Sequence, residues 1–374
     1  MNFKQKITHN LRNIPGWKTN RHIIVIESDD WGSIRMPSKD AYDKLLKQGI
    51  RVDKCHYCSN DSIASEDDLA LLFEILNSIS DKNGNPAIIT ANAVVANPDF
   101  QKIKDSAFER YYYKPITDGL NETKGCEKAL DLWKEGMDNG CFRIQSHGRE
   151  HLNVSRWMQY LKKNYPETRL AFNLGVYGIS TTITSEKRQS FLPAFDFTTK
   201  DEEVLVNDIA KDGLKLFKEI FGYPSASFIA PNYIWGKSLE RTLKENGVEY
   251  IQGQQVARYT NSEGENNGKR FRKIGKKNGN GLIDLCRNAL FEPSENPSHD
   301  WVSACMADIE IAFRWHHPAI ICSHRVNYVG TLNLSNRDNG LRQLSILLKQ
   351  IKQRWPDVEF MSSDQLGNII KKNE

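Results

Sequence analysis

Short apolar runs, each ending in polar side chains, recur along this chain at residues 22–28, 87–95, 141–147, 224–231, 248–252, 282–288, 318–324 and 358–362. Near-continuous apolar runs of this length mark strands buried on both faces, the condition of a parallel sheet. Helical spacing of apolar residues lies between several of them, at 66–80, 126–139, 201–221, 237–246 and 339–355. Gly140, Gly222 and Gly247 stand where C-terminal stops are expected, and Pro356 follows the last helical stretch. Such alternation predicts an α/β fold, either a parallel barrel or a doubly wound sheet. The polar residues cluster at the strand C-termini, where barrel enzymes keep their active sites.

A chain of 374 residues admits two domains, but α/β barrels fill about 200–250 residues as one unit. One barrel over 1–374 is the expectation, with insertions over its mouth at about 33–85, 152–200 and 261–281. Basic and acidic residues (51 against 47) are mixed along the chain, which gives no reason to expect a nucleic-acid partner. Seven scattered cysteines suit reduced thiols better than a disulfide framework. No apolar run approaches a membrane span, and the basic N-terminus has no apolar stretch behind it, so a cytoplasmic address is expected. Oligomeric state is not legible.

The chemistry starts at Asp29-Asp30, which closes the first run and precedes Trp31-Gly32. Adjacent carboxylates repel and call for a cation or a shared proton. Taken alone, the pair fits a solvated turn equally well. His147 and His151 are spaced one helical turn apart, so a helix would present both imidazoles on one face. Two imidazoles and one carboxylate leave a coordination position open for water, as a hydrolytic zinc site requires. An isolated histidine pair is more often ordinary polar surface; the acid pair in the same chain shifts the balance towards a metal-dependent enzyme. Arg149 and Glu150, between the histidines, are candidates to orient the rings.

His324 ends the seventh run, placed to protonate a leaving group or to serve as a hydrogen-bonded rim residue. Asn232-Tyr233 follow the fourth run, where backbone N–H groups can stabilise an oxyanion or simply form a packed turn. Cys55-His56-Tyr57-Cys58 lacks the second pair of a structural zinc site and reads as free cysteines. His316-His317 reads as structural. Six Lys and Arg residues between Lys269 and Lys277 form a solvated loop or receive an anionic substrate, such as a phosphorylated carrier or nucleotide sugar.

These motifs resemble those of the NodB-homology polysaccharide deacetylases, carbohydrate esterase family 4. Ser28-Asp29-Asp30-Trp31-Gly32 is similar to the family's Thr-Phe-Asp-Asp-Gly, with Trp31 inserted before the glycine. Ser146-His147-Gly148-Arg149-Glu150-His151 resembles its Ser/Asn-His-x-x-x-His motif, and Phe228 to Tyr233 its Arg-x-Pro-Tyr loop. Ile321-Cys322-Ser323-His324 sits where the late Leu-x-His motif falls. The resemblance implies a distorted (β/α)7 barrel. It also implies a divalent metal, Zn2+ foremost with Co2+ or another ion in its place, held by Asp30, His147 and His151. Asp29 would be the general base and His324 the general acid in removing an acetyl group from an N-acetylated sugar.

The family's arginine before the Pro-Tyr loop, which orients the base, is Ile229 here, with Arg149 or Arg287 as replacements. Asp284 to Asn288 occupies the region of the usual fourth motif. Trp31, Arg149, Asn232, Tyr233 and Arg287 are the candidate substrate contacts. Trp157, Tyr177, Phe195 and Trp235 join Trp31 and Tyr233 as candidates to stack on sugar rings, each equally at home in a core. Two other functions remain open: hydrolysis of a non-sugar N-acyl metabolite, and a catalytically silent glycan-binding module.

Overall fold

The computed structural model describes residues 3–261 and 269–373. Its main sheet is built from β1 (Ile23–Trp31), β2 (Ile89–Ala93), β3 (Phe142–Ser146), β4 (Ser227–Phe228), β5 (Tyr250–Gln254), β6 (Ile283–Arg287), β7 (Ala289–Leu290) and β8 (Ala319–His324). All neighbours are parallel, in the spatial order β6-β5-β4-β3-β2-β1-β8-β7. Only Asn288 separates β6 from β7, so one stretch of chain pairs with β5 at its start and with β8 at its end. That stretch closes the sheet into a ring with seven strand positions. This is the (β/α)7 barrel expected from the motifs. A last strand, β9 (Glu359–Phe360), pairs with Ile23 and Ile24 at the base of β1.

Each predicted run holds one of these strands, because each carries enough apolar residues to be buried on both sides. Every position of β1 is buried. Its alternate residues divide the core: Ile24 and Ile26 face the helices with Leu69, Leu72, Trp133 and Leu344. Ile23 and Val25 face inward with Ile283, Leu285 and Ile320, over a floor formed by Leu366 and Ile370 of the C-terminal helix Ser363–Lys372. The predicted helices form as Glu66–Asn77, Ala129–Asp138, Lys200–Phe221, Lys237–Glu245 and Leu334–Arg354. The helix Trp301–Arg314 was not legible, since apolar residues ring most of its circumference and blur the period. Among the described residues, no helix is long and apolar enough to cross a membrane.

Gly340, inside Leu334–Arg354, sits against the turn that follows β8. A Cβ there would stand 1.7 Å from the carbonyl oxygen of Asn327. Alanine ordinarily favours a helix interior over glycine by about 1 kcal/mol. Here the clash outweighs that gain, and Gly340→Ala is expected to destabilise the fold by about 1–3 kcal/mol. A lower urea midpoint at unchanged slope would show it.

Candidate metal centre

The regular pairing of β1 with β2 breaks between Ser28 and Trp31. Within this bulge Asp30 takes φ +72°, a left-handed conformation that costs a non-glycine residue about 1–2 kcal/mol. A regular strand would send residues 29 and 30 to opposite faces. The bulge instead brings both carboxylates to the wall of one cavity at the C-terminal mouth of the barrel. Gly32 completes the turn at φ +79°, with the Val94 carbonyl oxygen 2.6 Å from where a Cβ would be.

His147 and His151 reach the same point by a different route from the one their spacing suggests. Neither lies on a helix; both sit in the loop after β3. Gly148, at φ +100°, lets that loop fold so the two rings approach to 5.1 Å between centroids. His147 Nε2 lies 3.4 Å and His151 Nε2 3.3 Å from Asp30 Oδ1. Ligand atoms each about 2.0–2.1 Å from a tetrahedral ion stand about 3.3–3.4 Å apart, so the three side chains fit one cation.

The donor set has the chemistry of a ligand shell. The His147 ring lies 3.0 Å through Nδ1 from the Ile229 carbonyl oxygen, which accepts its proton and leaves the Nε2 lone pair facing Asp30. Asp30 Oδ1 and His147 Nε2 are buried with no hydrogen-bond partner, an arrangement that costs about 1–3 kcal/mol per group unless something binds them. Burial pushes the His151 pKa down to about 3, so the ring is neutral and able to ligate. Burial alone would raise the Asp30 carboxyl, but His151, His147 and Arg35 hold it well below the usual carboxylate range.

A second group, Glu292, Cys322 and His324, also brings ligand atoms close together. Arg287 donates to Cys322 Sγ at 3.2 Å, so a cation there would face a guanidinium. That group is an anchoring network instead.

Asp29 is held by Arg287 in a two-pronged pair, with Nη2 donating to Oδ1 at 2.6 Å and Nη1 to Oδ2 at 2.8 Å. Nε of the same guanidinium donates to Glu27 at 2.7 Å. Asn92 adds a third bond to Asp29 Oδ1 at 2.8 Å. Burial would raise the Asp29 pKa, but Arg287 brings it to about 2. The arginine that holds Asp29 therefore comes from β6. His324 Nε2 lies 3.8 Å from Asp29 Oδ2. On its other side His324 Nδ1 stands 2.5 Å from Glu292, whose second oxygen accepts from Asn327 at 2.8 Å. Burial would lower the His324 pKa; the Glu292 carboxylate raises it well above the usual imidazole range, so the ring is protonated at neutral pH.

The cavity has a volume of about 450 Å³. Asn232 and Tyr233 line it beside the acid pair and the histidines. Both residues take positive φ, and the Tyr233 N–H is already bonded to the Ala230 carbonyl at 3.0 Å, leaving Asn232 as the oxyanion candidate. The other proposed contacts stand elsewhere. Trp31 is buried among the outer core, edge-on to Phe142 and bonded to Ser28 through its indole N–H at 3.0 Å. The bulge turns it away from the mouth. Trp157, Tyr177, Phe195 and Trp235 are core residues that do not line the cavity. Arg149 is spent on Glu150 (2.6 and 2.8 Å) and Asp212 (2.9 Å), away from the cavity, so it neither replaces the motif arginine nor meets substrate there. Arg287 touches Asp29 but not the cavity wall.

Within the basic cluster, residues 269–277, Arg272 is buried against Asp284 at 3.0 Å and Arg270 pairs with Glu240 at 3.1 Å. Neither lines the cavity. Part of the insertion at 261–281 lies outside the described residues. Cys55 and Cys58, free as expected, do line the cavity, and a hydrogen bond from Cys58 draws the Cys55 thiol down to about 6. Glu292, Asn92 and Arg35 went unnoticed in the sequence. The one local signal was an acid just past a strand end, in Phe291-Glu292-Pro293.

No protein-family model matches the chain, and no curated protein does. Among solved structures, the chain is similar to a putative polysaccharide deacetylase from Mycobacterium smegmatis, with 11% identity over 96% of this chain and 93% of that one (TM-score 0.44). Its likeness to Puue allantoinase is 10% identity over 95% and 92% (TM-score 0.46). Its likeness to 4-alpha-glucanotransferase from Thermococcus litoralis is 10% identity over 92% of this chain but 40% of that one (TM-score 0.44).

If the three ligands act together, zinc at about 100-fold its dissociation constant will stabilise the protein by about 2.7 kcal/mol. Asp30→Asn and His147→Ala should each lose that thermal shift and bind no stoichiometric metal, whereas Arg149→Ala should keep it. Elemental analysis after dialysis, beside the melting curves, is the measurement.

Proposed function

We propose that this protein is a metal-dependent hydrolase that removes an acyl group, N-acetyl foremost, from a carbohydrate or sugar-containing substrate. The observation that carries the reading is the meeting of three side chains at ligand spacing with an arginine-held carboxylate and a carboxylate-held imidazolium in one cavity.

Asp30, His147 and His151 would hold a divalent cation, Zn2+ being the expected one, which would supply Lewis acidity towards the acyl carbonyl and water. Asp29 is ionised at any working pH and takes the proton from the attacking water. So low a pKa makes it a modest base by Brønsted reasoning, and its contribution rests on orientation by Arg287 and Asn92. An N–H of Asn232 meets the developing oxyanion. His324 carries its proton at Nε2, on the side facing Asp29, and delivers it to the departing nitrogen, because an amine anion does not leave unassisted. Glu292 keeps the ring charged and aimed.

One observation favours the amidohydrolase reading on a non-sugar metabolite. A cavity of about 450 Å³ is the size of a small-molecule site, and residues 54–58 and 178–192 wall it on two sides.

Acetate release should be screened on N-acetylated sugars, sugar nucleotides and non-sugar N-acyl amines. Activity should vanish with EDTA and return with zinc or cobalt. Asp29→Asn is expected to retain metal while kcat falls about 10²–10⁴-fold. An unchanged rate in that variant refutes Asp29 as base. Metal binding without turnover on any acylated compound would point to a silent binding module.

A further inference from the structure

Arg35 enters the cavity from the segment just past the acid pair. Its side chain is only 8% exposed, yet Nε and Nη1 donate no hydrogen bond. The nearest carboxylate, Asp61 Oδ2, stands 3.8 Å from Nε, beyond hydrogen-bonding range. Asp61 is anchored through Oδ1 to Arg325, at 3.1 and 2.8 Å, which holds its unbonded Oδ2 short of hydrogen-bonding reach of Arg35.

Two other buried arginines are matched. Arg287 serves Glu27, Asp29 and Tyr233. Arg272 serves Asp284 and the carbonyls of Ile251 and Gln252. A guanidinium offers five donors in a rigid fork, and idle buried donors are costly. Arg35 is therefore a fork held open.

Its surroundings support that. The Tyr57 ring lies 5.0 Å from the guanidinium carbon, close enough to restrain its plane. Gly178 leaves room beside it, since a Cβ there would come within 3.1 Å of Nη1. Lys54, exposed on the same cavity wall, forms no ion pair among the described residues. Arg287 compensates Asp29, and the cation site claims Asp30. What remains is Arg35, facing Asp61 Oδ2 only at 3.8 Å and hydrogen-bonded through neither Nε nor Nη1, beside a Lys54 without an ion-pair partner among the described residues.

We infer that Arg35, with Lys54, forms an anion-binding subsite of this cavity, and that the substrate carries a carboxylate or phosphate group beside the acyl group it loses. The inference rests on reading the cavity as an acyl-hydrolase site. The fork matches either anion, two N–H groups to two oxygens, whereas a neutral substrate would leave it unpaired.

The test uses the zinc-loaded full-length protein and matched pairs of ligands. N-acetylglucosamine is compared with its 6-phosphate, and an N-acetyl amino acid with its neutral carboxamide, by kcat/KM and by calorimetric binding. In at least one pair the charged member should be preferred about tenfold or more, and which pair shows it separates phosphate from carboxylate. Arg35→Gln should abolish that preference through KM, and Arg35→Lys should restore part of it, keeping charge without the fork. Lys54→Ala, at an exposed position, should reduce the preference and flatten its salt dependence; it decides the matter if Arg35→Gln fails to fold or to hold metal. Equal handling of charged and neutral members overturns the subsite while leaving the hydrolase reading intact. Arg35-dependent binding of a charged ligand without any turnover sustains the subsite and overturns the hydrolase reading.

Discussion

Three carboxylates, Glu27, Asp29 and Asp30, lie within four residues of a strand buried from end to end. Ionised groups in such a place are tolerable only with specific countercharge, and the architecture around β1 supplies a different one for each. Glu27, deepest in the barrel, is raised by burial even though Arg287 and Ser363 bind it. Asp29 shares the same guanidinium more fully and stays ionised. Asp30 has no arginine in contact, only two imidazoles at ligand spacing and the distant charge of Arg35. Of the three, it alone calls for a cation. The distribution of one arginine over two acids is thus what leaves adjacent carboxylates with different partners.

The first two insertions are tied to this centre, and the ties explain how loops so long hold a shaped cavity. Arg325, next to His324, binds Asp61 and the Ser33 carbonyl from within the core. Ser33 in turn bonds the Tyr177 hydroxyl at 2.7 Å. One arginine at the end of β8 therefore links the acid-pair turn, the segment carrying Arg35 and Tyr57, and the second insertion. The same turn carries Asn327, which anchors Glu292 and hence His324. The general-acid candidate and the cavity wall share a scaffold.

Strand positions were legible because burial on both faces leaves an unmistakable mark, and helix ends because glycine and proline mark them. The candidate ligands were legible because carboxylate and imidazole side chains at strand ends have few other uses in combination. The two histidines do converge, but not as their spacing suggested: four residues implied a helix, and a left-handed glycine in a loop brings the rings together instead. Trp31 beside the acid pair looked like a sugar platform, but a bulge of one residue turned it into the core.

By itself, the order of residues determined the alternation of strands and helices, the closure it permits, and which polar groups stand at the strand ends, since all of these follow from local periodicity. The tertiary structure decided which charge meets which. Arg287 reaches Asp29 across 258 residues of sequence, Glu292 reaches His324 across 32, and Arg325 anchors Asp61 across 264, leaving it 3.8 Å from Arg35. Pairings of that kind depend on distances between side chains brought together by the barrel, and no local pattern in the chain encodes them.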